Sequence, residues 1–212
     1  MSRTHIAAIL IVAAAVWAVG LAVSGVELTA EFARPFSLAT GAVVLVVALF
    51  DLWLWRLPLL KGWFVQRPVV RGTWAIRLTS NWTGESQNPA LDSIEAYLII
   101  RQTYFMISLR LVTEESSSRM LGTELVRMPD GVYTVAGVYL NESRVAVRER
   151  SPIHYGGLIL HVRGDPADGL DGGYWTDRLT RGEIHSTAYS RTVCHSFVEA
   201  RRIVGAAAKV GA

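Results

Sequence analysis

The sequence predicts a membrane-anchored all-β protein: two N-terminal transmembrane helices, then a small antiparallel β-barrel of about eight strands, then a short C-terminal helix. Three observations carry this. Long uncharged apolar runs are confined to the first quarter of the chain, short β-branched and aromatic runs replace them after Pro68, and no helix-length amphipathic pattern interrupts the latter.

The first apolar run, IAAILIVAAAVWAVGLAVSGV from Ile6 to Val26, carries no charge. At 1.5 Å per residue, about 21 helical residues cross a hydrocarbon core of roughly 30 Å. Its Ala14, Ala18 and Ala22 form a small-xxx-small series that permits close helix approach. The second run, Phe36 to Trp55, is broken only by Asp51 and ends in an aromatic belt of Trp53, Trp55, Trp63 and Phe64. A cleaved signal peptide is the alternative for the first run, with Ser24 and Gly25 as its small residues. The run is too long for that, and the second span follows after only ELTAEFARPF. Arg3 precedes the first span and Arg56, Lys61, Arg67 and Arg71 follow the second, so both ends are expected in the cytoplasm. Asp51 is costly against lipid and is expected at the interface beside Arg56, or lining an assembled pore. The expected divisions are a transmembrane hairpin at 1–57, a basic linker at 58–71, a barrel at 72–192 and a C-terminal helix or tail at 193–212.

The expected strands are Gly72–Thr79, Ser93–Gln102, Tyr104–Val112, Arg119–Met128, Val132–Leu140, Arg144–Glu149, His154–Val162, Gly172–Asp177 and Glu183–Tyr189. Turn chemistry separates them at Pro129-Asp130-Gly131, Asn141-Glu142-Ser143 and Gly164-Asp165-Pro166. Without crossover helices the sheet is antiparallel, and closure into a barrel removes its exposed edges. The segment from Cys194 to Lys209 reads as an Ala-rich helix, a lid or a partner contact.

The single cysteine, Cys194, excludes an internal disulfide and suits a reducing compartment, which makes the sequons at Asn81 and Asn141 accidental. Three basic and three acidic side chains precede residue 57, so the net charge of +3 lies wholly in the remainder. Arginine greatly outnumbers lysine, which suits a phosphorylated ligand but also fits a biased genomic composition. His5, His154, His161, His185 and His195 show no metal-ligand spacing, and adjacent Cys194 and His195 cannot form a nucleophile–base pair because neighbours diverge on any regular element. With no nucleophile elbow and no phosphate loop either, the chain reads as a non-enzyme that needs no cofactor and no metal.

Strand alternation through GGYWTDR puts Tyr174, Thr176 and Arg178 on one face and Gly173, Trp175 and Asp177 on the other. A phenol, a hydroxyl and a guanidinium in line can meet a base, a ribose and a phosphate; the same face could equally look out to water. Trp74 is of the kind that plugs one end of a barrel, and Gln102, Tyr104, Tyr139 and Asn141 add polar groups at strand ends.

The order of modules, the opening Gly72-Thr73-Trp74 and the pattern G-x-Y-W-T-x-R-x-T-x-G, carried by Gly172, Tyr174, Trp175, Thr176, Arg178, Thr180 and Gly182, resemble the two-transmembrane β-barrel effectors of bacterial CBASS antiphage defence. These are also described as SMODS-associating two-transmembrane β-strand-rich effectors. The resemblance implies a receptor for a cyclic dinucleotide second messenger made by a CD-NTase. On binding, it oligomerises in the inner membrane and disrupts it, causing cell death. It implies a multi-pass protein with N-terminus and barrel in the cytoplasm, and no DNA or RNA partner. Tyr174, Thr176 and Arg178 are the implied ligand contacts, with Trp74, Tyr104 and Tyr139 as further candidates. The rival readings are a membrane-anchored lipocalin-like barrel for a lipid or hydrophobic ligand, and a module that docks a protein on its exterior.

Overall fold

The computed structural model describes residues 11, 14–15, 17–20, 22–23, 30–80 and 93–210. Most of the first predicted span therefore lies outside the described residues, as do Arg3, His5 and Asn81. The chain divides into two compact units, one of Met1–Gln66 with Thr103–Met106, the other of Arg67–Gln102 with Ile107–Ala212.

In the first unit, helix α1 (Ala30–Leu52) holds most of the second predicted span, and the 3-10 turns Leu54–Arg56 and Pro58–Leu60 follow it. Among the described residues, no helix is long and apolar enough to cross a membrane. Asp51 is buried and faces protein, as a carboxylate costly against lipid should. Its carboxylate accepts the Phe105 N–H at 2.9 Å, and its carbonyl accepts the Tyr104 N–H at 3.0 Å. The carboxylate thus fixes the Thr103–Met106 turn and is satisfied within protein.

The second unit is a closed barrel of eight strands, each hydrogen-bonded to its sequence neighbours and the last to the first, all antiparallel. The strands are β1 (Gly72–Ser80), β2 (Ile94–Gln102), β3 (Ile107–Val112), β4 (Ser116–Arg127), β5 (Tyr133–Ser143), β6 (His154–Arg163), β7 (Gly169–Thr176) and β8 (Arg181–Ser190). Period-two alternation turns Trp74, Ile76 and Leu78, Leu98 and Ile100, Leu158 and Leu160, and Ile184 into one interior core. Such a barrel has just enough interior to be filled by side chains.

Strand β2 is buried on both faces, which explains its unbroken apolar run AYLII. Its outer residues Tyr97 and Ile99, with Val112, pack under helix α2 (Phe197–Val210) through Phe197, Ala200 and Val204. The C-terminal helix is therefore cladding on the barrel wall. Its start is fixed by a capping arrangement: the Glu199 N–H donates to Ser196 Oγ at 3.2 Å, and the Glu199 carboxylate accepts the His195 N–H at 2.8 Å.

Three local expectations are corrected. Arg144–Glu149 is no strand but a connection containing a 3-10 turn at Val145–Val147; the Val-x-Val spacing imitated alternation. Asn141–Ser143 is no turn but the end of β5, paired with Ser116–Ser118 of β4. Tyr104 precedes β3 and belongs to the Thr103–Met106 turn. The turn at Pro129-Asp130-Gly131 is as expected, with Gly131 at a φ of 89° and the Val132 N–H bonded to Asp130 Oδ1 at 3.0 Å.

Candidate functional site

The two ends of the barrel differ in chemistry. At one end the interior is closed by Trp74, whose indole N–H donates to the Val70 carbonyl at 2.9 Å and whose ring lies 4.2 Å from that of Tyr189. Gln102 completes this plug, accepting the Val70 N–H at 2.8 Å and donating to the Pro68 carbonyl at 2.9 Å. Both amide functions are thereby committed to structure.

The opposite end is lined with hydroxyls and phenols. Strand pairing puts Met120, Tyr139, Gly156 and Thr176 in one inward row across β4 to β7, and Leu158, Tyr174, Gly182 and Ser80 in the next. Glycine makes these rows possible. A Cβ at Gly156 would stand 2.3 Å from Tyr139 Cζ, and one at Gly182 would stand 2.7 Å from Tyr174 Cε1. Each tyrosine ring thus lies across the bare backbone of an adjacent strand. On the outer wall, Trp175 covers Gly157 in the same way.

Tyr139 is buried, and its hydroxyl points to the Trp175 carbonyl at 3.5 Å. Burial, then the nearby Tyr174 and Asp177, push its pKa well above the ordinary phenol value. Tyr174 is half-buried against the core, and desolvation raises its pKa too, opposed by a hydrogen bond with Ser80. Both phenols are neutral at physiological pH and so can donate hydrogen bonds. Beside them a buried polar chain runs from Ser118 Oγ to Asn141 Oδ1 at 2.8 Å, and from Ser143 Oγ to Ser151 Oγ at 3.0 Å.

Thr176 ends β7 facing inward, and its hydroxyl organises the following turn. It lies 2.6 Å from the Thr180 hydroxyl and accepts the N–H groups of Arg178 at 3.2 Å and Thr180 at 3.3 Å. Alternation stops there, so Arg178 is not in line with Tyr174 and Thr176 but stands exposed on the turn. Its guanidinium donates to the Arg150 carbonyl at 3.4 Å, linking the β7–β8 turn to the β5–β6 connection, where Arg148 donates to the Ser143 carbonyl at 3.3 Å. Arg150 itself pairs with Glu115. Three guanidinium groups therefore stand on the connections at the hydroxyl-lined end.

Of the six candidate residues, the structure brings together Tyr139, Tyr174 and Thr176, with Arg178 on the adjoining turn. Trp74 is at the other end of the barrel. Tyr104 lies in the first unit, its ring 4.8 Å from Phe50 and 6.0 Å from Trp55. Sequence reasoning missed Ser118, Ser143, Arg148 and Arg150. The signal for the serines was the tract Ser116–Ser118, which pairs as strand; that for the arginines was Ser151-Pro152, which marks a connection.

The family model of the Cap15 cyclic dinucleotide receptor domain matches residues 65–188. The chain belongs to the Cap15 family. The match runs from just before β1 to within two residues of the end of β8, so the Cap15 receptor domain is the barrel itself. The resemblance to CBASS effectors thus holds, and the Cap15 assignment makes the domain a receptor for a cyclic dinucleotide. No curated protein matches the chain.

Outside the barrel, Arg110, Ser117, Arg144 and His195 line part of a groove of about 240 Å³ between the β3–β4 wall and the start of α2. Arg110 is held there by bonds to Ser117 Oγ at 2.9 Å and the His195 carbonyl at 3.5 Å.

Proposed function

We propose that the protein is a membrane-anchored effector that takes its cyclic dinucleotide at the hydroxyl-lined end of the barrel, then assembles with further copies and disrupts the bacterial inner membrane. The observation that carries the site is the convergence, at one barrel end, of two neutral tyrosines, a hydroxyl chain and the connections bearing Arg148, Arg150 and Arg178. Ring faces and hydroxyls suit bases and riboses, and guanidinium groups suit the two phosphates. Tyr174 offers an exposed part to the ligand; Tyr139 forms the floor beneath it. The two apolar N-terminal runs anchor the chain as a multi-pass protein with its N-terminus and barrel in the cytoplasm. A lipid-carrying barrel would need interior space where Leu98, Ile100, Leu158, Leu160 and Leu170 are packed together.

The outer groove supports a second position for the ligand, because two arginines and a histidine line it. Thermal shift of the full chain in detergent against a panel of cyclic dinucleotides, with cyclic mononucleotides as controls, separates the two. The expected result is a stabilisation by one cyclic dinucleotide that Arg178→Ala and Tyr174→Ala abolish and Arg110→Ala leaves intact. The reverse pattern would move the ligand to the groove. Growth in particle size on adding that ligand is the expected sign of assembly; a constant size would refute the assembly step.

A further inference from the structure

We propose that residues 53–64 form an interfacial foot that docks on the anionic headgroup layer of a bilayer. This rests on the membrane-anchored reading and names the part of the chain that meets lipid headgroups. In this segment Trp53 is 66% exposed, Leu59 80%, Trp63 73% and Phe64 58%, while Trp55 at its centre is fully buried. Water-facing surfaces normally carry large apolar residues singly, so a short segment presenting this many is an interaction surface. The same exposed apolar character continues into α1 at Val43, Val44, Leu45 and Val46.

The backbone of the segment is closed on itself. The N–H groups of Leu57, Leu60, Lys61 and Val65 bond to the carbonyls of Leu54, Leu57, Pro58 and Leu60 at 2.8–3.1 Å. Such closure lowers the cost of entering a region poor in water. The charge on the segment identifies the occupant. The guanidinium of Arg56 lies 5.5 Å and the ammonium of Lys61 5.3 Å from the centre of the Trp55 ring, and residues 52–64 contain no carboxylate. Tryptophans beside cations match the headgroup layer, and a segment that contributes two cations and no carboxylate of its own favours lipids of net negative charge.

The test uses the full chain in vesicles of phosphatidylcholine with and without phosphatidylglycerol. A single cysteine is introduced by Leu59→Cys, Leu45→Cys or Leu179→Cys and labelled with a nitrobenzoxadiazole fluorophore; the unsubstituted chain controls for labelling at the buried Cys194. The expected result is a label at 59 quenched by lipid with a nitroxide high on its acyl chain and shielded from aqueous iodide, the shielding growing several-fold with phosphatidylglycerol. Iodide quenching at 59 equal to that at 179, on an exposed barrel turn, overturns the foot. Shielding that ignores phosphatidylglycerol overturns its anionic preference. The label at 45 separates the failures: shielded at 45 but open at 59 removes the foot alone, whereas open at both removes the membrane-anchored reading as well.

Discussion

Tyr139 and Tyr174 lie across glycines, so the inner wall at the hydroxyl-lined end has no room for added side chains. Gly156→Ala would place a methyl group 2.3 Å from Tyr139 Cζ and 2.6 Å from the Trp175 carbonyl. The ring must tilt away, at a cost of about 1–3 kcal/mol. Urea unfolding of the full chain in detergent should show a midpoint lowered accordingly, and ligand affinity should fall because the floor of the site has moved. The same tyrosines set an alkaline limit. Their folded pKa values are raised above the ordinary 10.0, so the unfolded chain loses these protons first as pH rises. Their effect on stability is therefore absent below about pH 10 and grows as a loss above it, towards the raised folded values. Tyr139→Phe should make the fall in urea midpoint between about pH 9 and 11 shallower than in the parent chain. Sequence alternation placed Tyr174 and Thr176 on one face, and both point inward. It misplaced Arg178 on that face, because the Thr176 hydroxyl ends the strand by bonding to the backbone of the turn, a competition between side chain and ladder that spacing does not reveal.

Among the elements, α2 is a helix, as its Ala-rich sequence suggests, and it packs on the outer face of β2. The helix was legible from its composition, but the surface that receives it was not, because β2 shows only an unbroken apolar run and gives no sign of which face a helix covers. Phe197 sits edge-on to Tyr97, their centroids 5.4 Å apart. Phe197→Ala removes that contact and leaves a gap over β2 and β3, so a loss of about 3 kcal/mol is expected. Proteolysis should then cut first within α2, and mass spectrometry of the fragments would show it; cleavage beginning elsewhere would mean the helix is held by other contacts. The strand boundaries were otherwise legible where a turn residue enforced them, as at Gly131. They were lost where polar residues stayed in register, as from Asn141 to Ser143, because pairing with Ser116–Ser118 depends on a partner distant in sequence.

For the whole molecule, the succession of hairpins and the closed form followed from the count of strands and the absence of helices between them. The chemical polarity of the barrel, plug at one end and hydroxyls at the other, did not, since it depends on how far each strand is staggered against the next. Closure of β1 on β8 carries a kinetic consequence. Each hairpin joins near neighbours, such as Thr134 and His161, 27 residues apart, but the seam joins Arg71 to Tyr189, 118 residues apart. That is about two doublings of loop length, roughly 1 kcal/mol more chain entropy to lose in one step. The seam should therefore form last, after the local contacts have already reduced the search. Tyr189→Phe removes the 2.8 Å bond to the Arg71 carbonyl and is expected to speed unfolding in stopped-flow measurements while leaving the refolding rate nearly unchanged. Until that step, β1 and β8 are two unpaired edges on one nascent chain, and crowded synthesis of this protein exposes it to joining its seam with the wrong copy.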